Sequence, residues 1–218
     1  MKNIVVFGAA GRTGKYLVQY ALEAGHNVTA FDRHTAIENV TKHPNCTHIA
    51  GDVYKQEDVE KAIEGKDVVI SAIGTNQIEG PAVNLMSDGM KAFTTAMKKF
   101  GIKRVLAVGG LAVLQLNETM QLIDKPDYPA EYKNVGIGHN KVYHVFLETD
   151  LDWTFVCCPN IDDFPRHGKY NVNKDYPAPG VFQISTGNLA DFILKEMEEN
   201  KFLKTRVGIA NEILEARS

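Results

Sequence analysis

Three glycines at fixed spacing carry the first chemical signal in this chain. They fall in the run Gly8-Ala9-Ala10-Gly11-Arg12-Thr13-Gly14, between a short apolar stretch and a segment of helical periodicity. A loop that leads from a strand into a helix and cradles phosphate needs glycine three times. One makes the tight turn, one lets the backbone approach a pyrophosphate, and one lets the helix pack on the strand. The helix N-terminus then offers unpaired N–H groups and the positive end of its dipole. An acidic residue, Asp32, follows 24 positions beyond Gly8 at the end of the next apolar run, where a carboxylate can take ribose hydroxyls. The pattern predicts a nicotinamide dinucleotide whose phosphates lie over Gly8, Ala10, Gly11, Arg12, Thr13 and Gly14.

Arg33 follows Asp32, and Arg12 stands inside the loop itself. A carboxylate at this place suits the ribose of NAD, whereas an arginine accommodates the 2′-phosphate of NADP. The two signals conflict, because a carboxylate repels a phosphate dianion. Two guanidinium forks match phosphate geometry, so NADP (as NADPH) is the expected cofactor, with NAD the alternative.

These residues need a framework to hold them. Apolar runs at 4–7, 27–31, 48–50, 67–73, 105–108 and 153–157 read as strands. Helical patterns occupy the following segment at Leu17 to Leu22, then 56–64, 81–101, 138–149 and 189–197, with Pro81 opening and Gly101 closing the third. Alternation of this kind predicts an α/β fold: one Rossmann-type domain over 1–218, with a doubly wound parallel sheet and helices on both faces. Two irregular stretches, 110–135 and 159–180, follow strand C-termini and are expected to build the substrate side as loops.

Composition excludes several classes. The net charge is −3 and the pI about 6.2, which leaves no basic footprint for nucleic acid or anionic membrane. Only four strongly apolar residues follow Met1-Lys2-Asn3 before a glycine, far short of a signal-peptide core or a membrane span. A cytoplasmic protein is expected. Its partners are a small-molecule acceptor, neither nucleic acid nor membrane, and its state a monomer or weak homodimer. Cys46, Cys157 and Cys158 read as reduced core thiols. The seven histidines show no paired ligand spacing, so no metal is expected. Neither a Gly-x-Ser-x-Gly elbow nor a Walker lysine is present.

The Gly-x-x-Gly-x-x-Gly spacing resembles that of extended and atypical short-chain dehydrogenase/reductases. Gly51-Asp52-Val53, Ser71-Ala72-Ile73-Gly74-Thr75, Val105-Leu106-Ala107-Val108-Gly109-Gly110, Leu151-Asp152-Trp153-Thr154 and Pro159-Asn160-Ile161 follow in order. Together they resemble the NmrA-like, NAD(P)H-binding branch, and within it are most similar to the NADPH-dependent flavin reductases (biliverdin-IXβ reductases). The likeness runs from Lys2 to about Gly208. It implies that Asp52 accepts from the adenine amino group with Val53 against the ring. By the same likeness Ile73, Gly74 and Thr75 line the adenosine and pyrophosphate groove, and Pro159 completes the cofactor site. Unaided, Asp52 reads equally well as a turn residue.

The alcohol-oxidising Tyr-x-x-x-Lys pair, in which lysine lowers the tyrosine pKa, is missing. Tyr143 has Leu147 four residues on, and the literal match Tyr170/Lys174 falls in an expected loop and reads as coincidence. Gly110 stands where the flavin reductases carry serine and Asn160 where they carry histidine, while His139 matches a histidine of theirs. Gly110, His139, Tyr143 and Asn160 are therefore the substrate-pocket candidates, with no catalytic residue assigned. Gly109 and Gly110 are expected to leave room for a flat ring. Three functions fit: an NAD(P)H-dependent reductase of a flavin, quinone or similar acceptor that draws its proton from solvent, a non-catalytic dinucleotide sensor, or a sugar-nucleotide epimerase. The last is disfavoured by the missing Tyr/Lys pair and by the lack of a larger C-terminal substrate domain.

Overall fold

Strand β1 (Asn3–Phe7) is apolar at every position from Ile4 onward because helices cover both faces of the sheet it centres. The computed structural model describes residues 1–33, 42–74 and 84–213. Within them β1, β2 (Asn27–Asp32), β3 (Cys46–Ala50), β4 (Val68–Ser71), β5 (Arg104–Gly110), β6 (Asp152–Cys158), β8 (Tyr170–Lys174) and β10 (Thr205–Asn211) form one sheet of order β3-β2-β1-β4-β5-β6-β10-β8. Alternate residues face opposite layers. Ile4, Val6, Ile70, Leu106 and Val207 meet Leu17 and Val18 of α1 (Arg12–Glu23) and Leu189 and Ile193 of α5 (Thr186–Glu199). On the other face Phe7, Val69, Val105 and Phe155 meet α2 (Gln56–Ile63), α3 (Leu85–Phe100) and α4 (Ala130–Leu147). Phe7 sits at the centre of that layer, stacked on Phe93 at 3.9 Å between ring centres.

The chain leaves β1 toward β2 and β3 and later returns to pair β4 on the other side of β1. Neighbouring connections diverge at this switch point, opening a crevice above the C-terminal strand ends.

Several sequence expectations are corrected. The sheet is mostly parallel, since its edge strand β8 runs antiparallel to β10. The stretch 159–180, expected as loop, contains β7 (Asn160–Asp162) and β8, and β7 pairs in parallel with β9 (Gln183–Ser185). Tyr170 and Val172 of β8 alternate inward against the core, a period-two signal carried by only two residues. The stretch 110–135 also holds structure: β5 runs to Gly110, 3-10 turns form at Leu111–Val113 and Leu122–Asp124, and α4 starts at Ala130 rather than 138. Glycines 136 and 138 disguised that start, because glycine disfavours helix interiors. Packing overrides the propensity here. A Cβ at 136 would lie 2.9 Å from Ala112 and 3.0 Å from Ile123. The third helix is described from Leu85, with Pro81 outside the described residues.

One buried ion pair ties the lower sheet together. Arg104 of β5 donates to Glu196 Oε1 of α5 at 3.0 Å, to Thr154 Oγ1 at 2.8 Å and to the Asp152 carbonyl at 2.9 Å. Glu196, only 1% exposed, also accepts from the Lys201 and Phe202 backbone N–H groups. Removing one partner leaves the other charge buried and uncompensated. Glu196→Ala should therefore cost about 3–5 kcal/mol of stability, measured by urea unfolding at neutral pH; a loss below about 1 kcal/mol, the surface-pair range, would contradict this role.

Candidate functional site: the glycine loop and the strand ends beside it

The glycine loop leaves β1 at the switch point. Gly8 adopts the left-handed φ of 78°, and its N–H and that of Ala9 donate to the Phe31 carbonyl at 3.0 and 3.2 Å. A Cβ on Gly8 would lie 2.9 Å from the Ala72 carbonyl oxygen, and one on Gly14 would lie 2.0 Å from the Gly8 carbonyl oxygen. Gly11 is different, since its Cβ would meet only the Gly8 oxygen, at 3.1 Å. The turn, the helix–strand contact and the open approach thus fall on Gly8, Gly14 and Gly11 respectively. Helix α1 starts with Gly11 as N-cap, no side chain caps it, and its first turn carries no acidic residue. The first-turn N–H groups have no intrahelical partner, so this end fits the pyrophosphate of a dinucleotide. Thr13 is buried and Ala10 is exposed at the loop.

The adenosine end lies at the β2 and β4 termini. Asp32 Oδ2 accepts from the Ala10 N–H at 3.1 Å, so the carboxylate is joined to the loop, while Arg33 is exposed beside it. Arg12 donates to the Ile161 carbonyl at 3.1 Å, and Lys15 pairs with Asp163 at 2.9 Å; the two tie the start of α1 to β7 and the residue after it, a link with no sequence signal. Asp52 Oδ1 accepts from the Tyr54 N–H at 3.0 Å, the turn role. Val53 is buried, and Ile73 packs beside it where α3 presents Gly89. Gly74 is open, and Thr75 lies outside the described residues.

The far end gathers Gly110, His139 and the segment after β6. A Cβ on Gly109 would lie 2.5 Å from the Phe155 ring, and one on Gly110 would lie 2.9 Å from His139 Cδ2. This corrects the expectation that these glycines leave room for a ligand ring, because core side chains fill that space. His139 is half-buried, with Nδ1 enclosed and without a hydrogen-bond partner. Burial lowers its pKa to about 4, so the imidazole is neutral near pH 7. Pro159 is half-buried, and the exposed Asn160 opens β7 opposite Gln183. Tyr143 packs into the helix–sheet layer instead, edge-on to Trp153 at 6.0 Å and under the Arg206 guanidinium at 4.5 Å.

Tyr170 does meet a lysine, but not Lys174. Its hydroxyl donates to Asp191 Oδ2 at 2.9 Å, and Lys195 lies 3.4 Å from the hydroxyl and 2.6 Å from Asp191. Burial first, then the Asp191 hydrogen bond, pushes the phenol up to about 12, opposite to the shift a proton-passing tyrosine needs.

A family model described as NAD(P)H-binding matches residues 8–200, from the first loop glycine to the end of α5. The chain belongs to the NAD(P)H-binding family. YwnB of Bacillus subtilis (strain 168) is 27% identical, the alignment covering 96% of this chain and 99% of YwnB. Among solved structures, a candidate NADH-flavin reductase from Streptococcus pneumoniae TIGR4 is 26% identical with a TM-score of 0.84, covering 97% of this chain and 100% of that one. A candidate epimerase from Bacteroides thetaiotaomicron is also 26% identical, with a TM-score of 0.83 over 99% of each chain. No helix among the described residues is long and apolar enough to cross a membrane.

In an NAD(P)H-binding protein the glycine contacts separate folding from binding. Gly11→Val should weaken NADPH at least about tenfold with little change in melting temperature. Gly14→Ala should lower the melting temperature itself, because its Cβ has no space. Fluorescence titration and thermal unfolding of both variants check this; unchanged binding in Gly11→Val would place the phosphates elsewhere.

Proposed function

We propose that the protein is an NAD(P)H-dependent reductase, with NADPH preferred, that reduces a flat conjugated acceptor such as a flavin or quinone without a proton-donating side chain. The observation that carries this reading is the pairing, along one strand edge, of an open phosphate loop with an acceptor end of Gly110, neutral His139 and Asn160. When bound, the dihydronicotinamide supplies a hydride, and the acceptor takes it up with one proton from solvent, so two electrons move, one C–H bond breaks and no side chain changes charge. The chain's own task is then to bind and align. Similarity to the candidate NADH-flavin reductase of S. pneumoniae supports the acceptor class. The likeness to an epimerase supports that activity less, because the Tyr–Lys contact of this chain lies at Asp191 with a raised phenol pKa.

Preference for NADPH rests on Arg33 and Arg12. Asp32 is engaged by the loop N–H, while Arg33 is exposed at the same strand end. Arg12 holds only a neutral carbonyl, which a phosphate would displace as the stronger, charge-assisted partner. Arg33→Ala should weaken NADPH by about 1.5–3 kcal/mol, the worth of a charged hydrogen bond, and leave NADH nearly unchanged. Titration with both dinucleotides measures this, and equal losses would return Arg33 to a structural role.

The acid-free step has its own test. A general acid contributes about 10²–10⁴ in rate, so Tyr143→Phe, which keeps the ring under Arg206, should stay within a few-fold of wild type. The rate should show no break at the ordinary histidine pKa, since His139 is already neutral down to about pH 4. A hundredfold loss in Tyr143→Phe, or a break near pH 6.5 abolished in His139→Asn, would sink the acid-free mechanism. Tight NADPH binding with no oxidation by any flavin or quinone would favour the sensor.

A further inference from the structure

Gly110, the last residue of β5, has no conformational need to be glycine. Its φ of −113° and ψ of 164° are extended backbone that any residue adopts. What a side chain there would meet is His139: a Cβ would lie 2.9 Å from the imidazole Cδ2 and 3.2 Å from Nε2. The imidazole therefore occupies the space over the strand end into which a side chain at 110 would project. On another side its ring lies 6.4 Å from that of Phe155, tilted by 55°, and Phe155 itself closes against Gly109. Helix α4 carries His139 into this slot one turn before Tyr143, whose ring is committed to Trp153 and Arg206.

The two ring nitrogens differ. Only Nδ1 is enclosed without a hydrogen-bond partner, while Nε2 stands against Gly110 at the end of β5. A neutral imidazole carries one proton, and its place follows from what each nitrogen meets. Enclosed N–H groups with nothing to receive them are rarer in folded proteins than enclosed lone pairs. The proton thus belongs on Nε2, and the ring presents a donor at the C-terminal end of the strand, where ligands bind in open α/β sheets. Burial keeps this donor uncharged near pH 7. The neighbouring polar groups are placed differently: Cys158 Sγ donates to the Gly109 carbonyl at 3.0 Å, and Asn160 is exposed to water.

We infer that His139 gives its Nε2–H as a hydrogen bond to a carbonyl oxygen conjugated with the acceptor ring, and that the site selects acceptors carrying such an oxygen. The inference rests on the reductase reading and names the group its substrate must have, one that quinones and isoalloxazines share. When a hydride joins the conjugated ring, an electron pair shifts onto the carbonyl oxygen. That oxygen holds negative charge until a solvent proton arrives, and the imidazole keeps its own proton throughout. A fixed donor aimed at this oxygen binds more strongly in the transition state than in the ground state.

Nitrogen-15 NMR of histidine-labelled protein reads the tautomer directly, with the His139 signals assigned by their absence from His139→Ala. The imidazole should be the neutral Nε2–H form at pH 7 and should not titrate near 6.5, the ordinary histidine value. With menadione, a neutral quinone, as acceptor, His139→Ala should lower kcat/KM by about tenfold or more, as for a hydrogen bond to a charged group, and leave the Kd of NADPH unchanged. Gly110→Ser/His139→Ala should recover most of that loss, because a hydroxyl at 110 can enter the space the imidazole leaves. Gly110→Ala/His139→Ala fills the same space without a donor and should not recover it. An Nδ1–H or a protonated imidazole at pH 7 would overturn the inference and leave the reductase intact, as would equal rates in the serine and alanine double variants. NADPH binding with no oxidation by menadione or riboflavin would remove the reductase reading, and the inference with it.

Discussion

The Gly14 Cα lies so close to the Gly8 carbonyl that a Cβ there would stand 2.0 Å from the oxygen. This backbone-on-backbone contact seats the first turn of α1 on the end of β1, and much of the site inherits its position from it. Leu17 and Val18 then face Ile4 and Val6, and the helix axis is fixed with its uncapped N-terminus over the crevice. Gly8 cannot take a side chain either, because Ala72 of the returning chain crosses beside it. The Ala72 N–H also donates to the Phe7 carbonyl at 2.9 Å. The loop is held on one side by β4 and on the other by β2, through the Phe31 carbonyl and the Asp32 carboxylate. A phosphate-binding loop made this way needs little reorganisation on binding, which is how pre-organised donors save ordering entropy.

From that anchor the site divides by charge. Arg12, Lys15 and Arg33 stand near the uncapped N-terminus of α1, and the other end offers a neutral imidazole and an amide. In the proposed reaction this division is functional. Contacts made far from the reacting atoms hold the dinucleotide, and their binding energy is available for aligning the nicotinamide with its acceptor. The tether from Arg12 to Ile161 places the strand that carries Asn160 on the same rigid frame as the loop.

The glycine loop and the strands and helices around the switch point were legible in the sequence, because each is specified by local features. The spacing of Gly8, Gly11 and Gly14, continuous apolar runs and a closing glycine such as Gly101 all act over a few residues. The acceptor side was less legible, because its features are set by contacts distant in sequence. Gly110 reads as open space until His139, 29 positions later, is seen filling it. The start of α4 was hidden by Gly138 and by Gly136, whose missing side chain lets Ala112 and Ile123 approach. Strands β7 and β9 are three residues each, too short to show a period. The cofactor side of Asp52 was ambiguous for a different reason: one oxygen makes the turn, and its other role, if a ligand is present, leaves no local signature.

Tyr170 shows why residue proximity does not define chemistry. A tyrosine hydroxyl and a lysine ammonium 3.4 Å apart would, alone, lower the phenol pKa by favouring the phenolate. Here Asp191 engages both, accepting from the hydroxyl and pairing with the ammonium. The hydrogen bond it accepts stabilises the protonated phenol, and burial acts in the same direction. Lys195 is correspondingly held protonated by the same carboxylate. The cluster becomes a neutralised structural tie between β8 and α5 rather than a proton relay. In this chain the single carboxylate decides the matter by holding the phenol in its protonated form.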